Sequence, residues 1–86
     1  MKYLIIGASS GLGRELANKF AKKKNNLVLV SRDERDLNAI KSDLEIKYNV
    51  NINILTLDFS SIDEINKKLL SQTEILENLD GIIFPI

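Results

Sequence analysis

An α/β chain built on a doubly wound parallel sheet is what the sequence predicts, and three observations predict it. Short apolar runs alternate with longer stretches of helical spacing, the runs are nearly free of charge, and each helical stretch carries one apolar stripe and a charged back. Strands buried on both faces of a parallel sheet read as unbroken apolar runs, because helices cover both sides. The order is β-α-β-α-β-α-β with short connections, and right-handed crossovers then place the strands parallel in one sheet.

The first strand is "KYLII", residues 2–6, and it runs into "IIGASSGLGRELA", which packs Gly7, Gly11 and Gly13 into seven positions. A helix follows, with Leu16, Ala17, Phe20 and Ala21 on one stripe. Asn25 and Asn26 supply turn chemistry before the second strand, "NLVLV". Ser31 followed by Glu34 fits a capping box, in which serine caps a backbone N–H and glutamate reaches back. The second helix then carries Leu37, Ile40, Leu44 and Tyr48, and residues 49–51, Asn-Val-Asn, turn the chain into a third strand, "NINILTL". Ser61 and Glu64 repeat the capping box before a helix with Ile62, Ile65 and Leu69. Asn78 marks the last turn, and "DGIIF" is the fourth strand.

With 86 residues the chain amounts to one small domain at most, burying about 60% of its unfolded surface or slightly more. Twelve basic and twelve acidic side chains cancel, so no net field favours nucleic acid or an anionic membrane as partner. The absence of cysteine and histidine removes disulfides, thiolate nucleophiles, imidazole bases and the usual zinc ligand sets. No cluster of oxygen ligands suggests another metal. The apolar run before the glycines is too short for a signal peptide, and no stretch approaches the ~18 apolar residues of a membrane span. A soluble, cytoplasmic chain is the expectation. A fourth strand so close to Ile86 would be an apolar, unpaired edge, which leads us to expect the front half of something larger, prone to self-associate if isolated.

The glycines have a physical use. In a doubly wound sheet, the turn from the first strand into the first helix lies where a dinucleotide's pyrophosphate meets the free N–H groups and positive end of the helix. A Cβ at Gly11 or Gly13 would obstruct either the phosphate or the packing of helix on strand. The hydroxyls of Ser9 and Ser10 are candidate donors to phosphate oxygens. The spacing is G-x-x-x-G-x-G, neither the common G-x-G-x-x-G nor a nucleotide-triphosphate loop, which needs glycine at Leu12 and then Lys-Ser/Thr.

On these residues the sequence resembles the short-chain dehydrogenase/reductases, whose cofactor loop usually reads Thr-Gly-x-x-x-Gly-Ile/Leu-Gly, and the resemblance runs through all 86 residues. Ile6 stands where threonine is usual. The resemblance implies a Rossmann-type sheet, partial, with strand order 3-2-1-4, and makes residues 1–86 an N-terminal NAD(P)-binding half-domain that stops before the catalytic segment. It implies an oxidoreductase that moves hydride between a nicotinamide cofactor and a carbonyl or alcohol, generally as a homo-oligomer. The implied cofactor residues are Gly7, Ser9, Ser10, Gly11, Leu12, Gly13, Ser31, Arg32, Asp58 and Phe59.

The cofactor choice follows from the end of the second strand, where an acid binds the ribose hydroxyls of NAD and an arginine accommodates the 2′-phosphate of NADP. Ser31 replaces the acid and Arg32 follows, which favours NADP(H) over NAD(H); Ser10, where a second basic residue is common, and nearby Asp33 weigh against it. Ser31 also reads as a helix cap and Arg32 as a solvated first-turn residue, and both roles can coexist. Asp58 matches the aspartate that accepts from the adenine amino group, with the Phe59 N–H meeting the ring; Asp58 equally suits a helix cap. "LDGIIFPI" departs from the family's Asn-Asn-Ala-Gly, since Phe84, Pro85 and Ile86 occupy its first three places, and Phe84 reads as core or edge packing. The family's catalytic Tyr-x-x-x-Lys is missing, because Gly7 follows Tyr3 and Ile52 follows Tyr48 at that spacing. No catalytic residue is assigned, and the 86 residues alone are expected to be inactive. Two other readings stay open: a non-catalytic dinucleotide-binding module or sensor, and a small α/β domain whose apolar edge serves assembly.

Overall fold

A computed structural model of the chain describes residues 1–57, 62–71 and 73–84. The elements are β1 (Lys2–Ile6), α1 (Gly11–Lys22), β2 (Asn26–Ser31), α2 (Glu34–Tyr48), β3 (Ile52–Thr56), α3 (Ile62–Ser71), α4 (Thr73–Leu76) and β4 (Gly81–Ile83). All strands are parallel in the order β3-β2-β1-β4, as the sequence leads one to expect. Leu4 of β1 pairs with Val28 of β2, and Leu29 of β2 with Ile54 of β3.

Successive side chains of a strand point to opposite faces, so each apolar run feeds two cores. On one face Ile5, Leu27, Leu29 and Ile52 meet Ala8, Ala17, Ala21, Leu37 and Leu44. The alanines let α1 lie close to the sheet, while half-buried Leu16 and Phe20 flank them. On the other face Leu4, Val28, Val30, Leu55 and Leu57 pack with Ile65, Ile75, Leu76 and Leu79. β2 lies between β1 and β3 and is buried from Leu27 through Ser31, which is why its sequence is the most uniformly apolar of the strands.

The structure departs from sequence expectation at several places. The cap of α2 is Asp33, whose carboxylate accepts the Asp36 N–H at 3.1 Å, so the Ser31–Glu34 capping box does not form. Ser31 is still strand, and its hydroxyl instead accepts the Asp33 N–H at 3.0 Å. In α3 the expected stripe fails at its first member: Ile62 is 74% exposed, and the core contact is made by Ile65. The short helix α4, which the spacing does not reveal, supplies Ile75 and Leu76 to that layer. Phe84 is exposed and so belongs to no core. Asn49 and Asn78 take the left-handed backbone expected of turn residues, but before β2 that conformation falls on Lys24. There the Asn25 side-chain amide donates to the Phe20 carbonyl at 3.0 Å and closes the end of α1. The Ser61 cap and the Pro85–Ile86 departure lie outside the described residues. Among the described residues no helix is long and apolar enough to cross a membrane, and no group of His, Cys, Asp or Glu could hold a metal.

Candidate functional site

The site is built where the ends of β1 and β2 meet the start of α1. The N–H groups of Gly7 and Ala8 both donate to the Val30 carbonyl, at 2.8 and 3.1 Å, which pins the loop after β1 over the end of β2. Gly7 has φ +78°, in the left-handed region that disfavours any side chain. Ser10 caps α1: its hydroxyl accepts the Gly13 N–H at 3.0 Å and donates to the Gly7 carbonyl at 2.8 Å. That hydroxyl is thus committed within the loop, and of the two serines expected to donate to phosphate only Ser9 has its O–H direction open.

Gly13 and Gly11 differ. A Cβ at Gly13 would lie 2.2 Å from the Gly7 carbonyl oxygen and 2.9 Å from the Ala8 Cα, so the helix can sit on the loop only without one. At Gly11 a Cβ would meet nothing within 4 Å. Packing among the described residues does not require glycine there, and Gly11 is exposed.

The electrostatics of this end favour an anion. The N–H groups of Ser9, Gly11 and Leu12 have no acceptor among the described residues, and the start of a helix carries partial positive charge. Most helices answer that charge with an acid in the first turn, as α2 does with Glu34 and Asp36, but α1 has none. Leu12 is half exposed at the mouth of the loop. The residues therefore fit a phosphate group: unpartnered N–H donors, a positive helix end, and a position kept free of Cβ.

The end of β2 lies against this loop. Ser31 is buried, 6% exposed, and its Oγ is 2.8 Å from Ser9 Oγ. Arg32 is exposed and makes no ion pair among the described residues; Arg14 takes Asp36 instead, at 3.5 Å. Arg32 borders an open hollow of about 720 Å³ with Asp33, Glu34, Arg35 and Asn38. Arg35 and Asn38 are absent from the sequence-derived site, although their spacing of three on α2 would have put them on one face. Asp58 and Phe59 lie outside the described residues. Of the sequence-predicted residues the structure brings together Gly7, Ser9, Ser10, Gly11, Leu12, Gly13 and Ser31, with Arg32 next in the chain and its side chain on the neighbouring hollow.

The short chain dehydrogenase family model matches residues 2–84. The chain is 47% identical over 66 residues to a very-long-chain 3-oxoacyl-CoA reductase of Candida glabrata, covering 74% of this chain and 19% of that protein. To the reductase of that name from Candida albicans it is 44% identical over 63 residues, covering 73% and 18%. The chain spans about a fifth of the length of these curated relatives. Among solved structures, L-sorbose reductase from Gluconobacter frateurii, complexed with NADPH and L-sorbose, has a TM-score of 0.81 at 26% identity, over 94% of this chain and 31% of that one. A short-chain dehydrogenase from Sphingobium yanoikuyae in complex with NADPH has a TM-score of 0.73 at 35% identity, over 77% and 26%.

Proposed function

The chain belongs to the short-chain dehydrogenase family, and from that premise we propose that its residues form the nicotinamide-cofactor half of an oxidoreductase that prefers NADP(H) to NAD(H). The observation that carries this reading is the loop itself: three N–H groups without acceptors among the described residues, no acid in the first turn of α1, and open space beside Gly11. In this reading the N–H groups of Ser9, Gly11 and Leu12 hold the pyrophosphate. Gly7, Ser10 and Gly13 shape the loop that presents them, and Ser10 does so through its two hydrogen bonds rather than by donating to the ligand. Asp58 and Phe59 retain the adenine-binding roles that the family pattern implies.

Preference for NADP(H) rests on Arg32. A guanidinium with no carboxylate partner among the described residues, beside an open hollow, can grip a 2′-phosphate in bidentate fashion. No acid stands at the end of β2 to bind free ribose hydroxyls, since that place is Ser31. The NADPH complexes of the two structural relatives are consistent with this choice. When bound, the cofactor would give hydride to a carbonyl or take it from an alcohol. The names of the curated relatives make a 3-oxoacyl-CoA the carbonyl substrate to try first.

Titration of the intact protein with NADPH and NADH tests the reading. We expect tighter binding of NADPH, and Arg32→Asp should weaken NADPH about tenfold or more, since hydrogen bonds to charged groups contribute about 1.5–3 kcal/mol, while NADH is held as well or better. Equal affinities for the two cofactors before and after the substitution would remove Arg32 from the site.

A further inference from the structure

Among the described residues the hydroxyl of Ser31 is the one buried polar side chain, and it joins the two halves of the site. Among the described residues it has two partners, the Asp33 N–H at 3.0 Å and Ser9 Oγ at 2.8 Å. A hydroxyl has one proton to give and two lone pairs to receive. An N–H can only donate, so toward Asp33 the Ser31 oxygen is an acceptor. Among the described residues its own proton then has one acceptor, Ser9 Oγ, and a buried O–H left without an acceptor is costly. The satisfied arrangement is a directed chain: Asp33 N–H to Ser31, Ser31 O–H to Ser9. With its oxygen already accepting, half-buried Ser9 has its own O–H left for an acceptor from outside the chain. Each bond in such a chain polarises the next, which makes the last O–H a better donor.

We propose that Ser31 is a positioning residue, which donates to Ser9 and so turns the Ser9 hydroxyl into a committed donor toward an oxygen of the bound dinucleotide. The chain starts at Asp33, the cap of α2 and the neighbour of Arg32, so one buried hydroxyl sets both the loop after β1 and the turn that carries the arginine. The proposal rests on the cofactor reading given above. It adds that the side chain at position 31 acts through Ser9 and need not touch the cofactor.

The experiment is a double-substitution cycle in the intact protein, with NADPH and NADH titrated against wild type, Ser31→Ala, Ser9→Ala, the double variant and Ser31→Thr. Ser31→Ala and Ser9→Ala should each weaken NADPH binding roughly tenfold. The double variant should be no weaker than the worse single one, because both changes break the same chain. Ser31→Thr, which keeps the hydroxyl, should bind close to wild type. Amide exchange gives a readout that needs no cofactor: the Asp33 N–H should exchange faster in Ser31→Ala, recover in Ser31→Thr and stay protected in Ser9→Ala. Losses that multiply in the double variant, or undiminished NADPH binding by Ser31→Ala, would overturn the proposal while leaving the cofactor reading intact. A wild type that binds neither NADPH nor NADH would overturn both.

Discussion

Glycine at three nearby positions answers three different requirements. At Gly7 the backbone is left-handed, at Gly13 the Gly7 carbonyl occupies the place of a side chain, and at Gly11 the chain itself offers no obstacle. Gly13→Ala should therefore destabilise the fold with or without ligand, by about 1–3 kcal/mol as for other overpacked sites. Urea unfolding in the absence of nucleotide measures it, and an unchanged midpoint would mean that α1 can shift away from the loop without cost. The glycine spacing was legible in the sequence, but not this division of labour, which depends on distances between residues six apart that only the folded loop defines. The same holds for Ser10. Its residue type suits a phosphate donor and a helix cap equally, and the Gly7 carbonyl within 2.8 Å decides for the cap.

Strands were the most legible elements, because β1, β2 and β3 each give buried side chains to both cores and their runs carry almost no charge. Helix starts were less so. Ser31-x-x-Glu34 and Asp33-x-x-Asp36 both match a cap pattern, and the choice falls to the residue at which the strand lets go. Because β2 holds Ser31, the helix begins at Glu34 and Asp33 becomes its cap. Asp33→Ala should accordingly cost about 1 kcal/mol of stability, as for other caps. Glu34→Ala, which removes no cap, should cost less in the same denaturation experiment. The reverse order would restore the Ser31–Glu34 box. The α3 stripe departs from its pattern at Ile62 for a related reason: periodicity marks a face but not where along the helix contact with the sheet begins, and α4 and Leu79 add to the layer.

Taken as one body, the molecule has a parallel sheet whose central strand is buried on both sides and whose β1 and β2 ends converge on the start of α1. The parallel sheet was readable from alternating patterns and crossover handedness, and the placing of Gly7 through Gly13 at the turn from β1 into α1 from the glycine spacing, while the order β3-β2-β1-β4 was legible only through the family resemblance. The pairing of Ser9 with Ser31 across 22 positions was not legible, since no local pattern announces a contact between a loop and the last residue of a strand. In the proposed reading this convergence is shaped for an anionic dinucleotide, and Gly11 serves that ligand rather than the chain's own packing. Gly11→Ala in the intact protein separates the two demands most directly, with thermal unfolding followed with and without NADPH. Unliganded, the variant should melt at the wild-type temperature or slightly above, since a methyl group there meets no atom of the described residues within 4 Å and alanine restricts the unfolded chain. The NADPH-induced rise seen in the wild type should be lost. A variant that NADPH stabilises as strongly as the wild type would contradict the claim that the space beside Gly11 belongs to the cofactor.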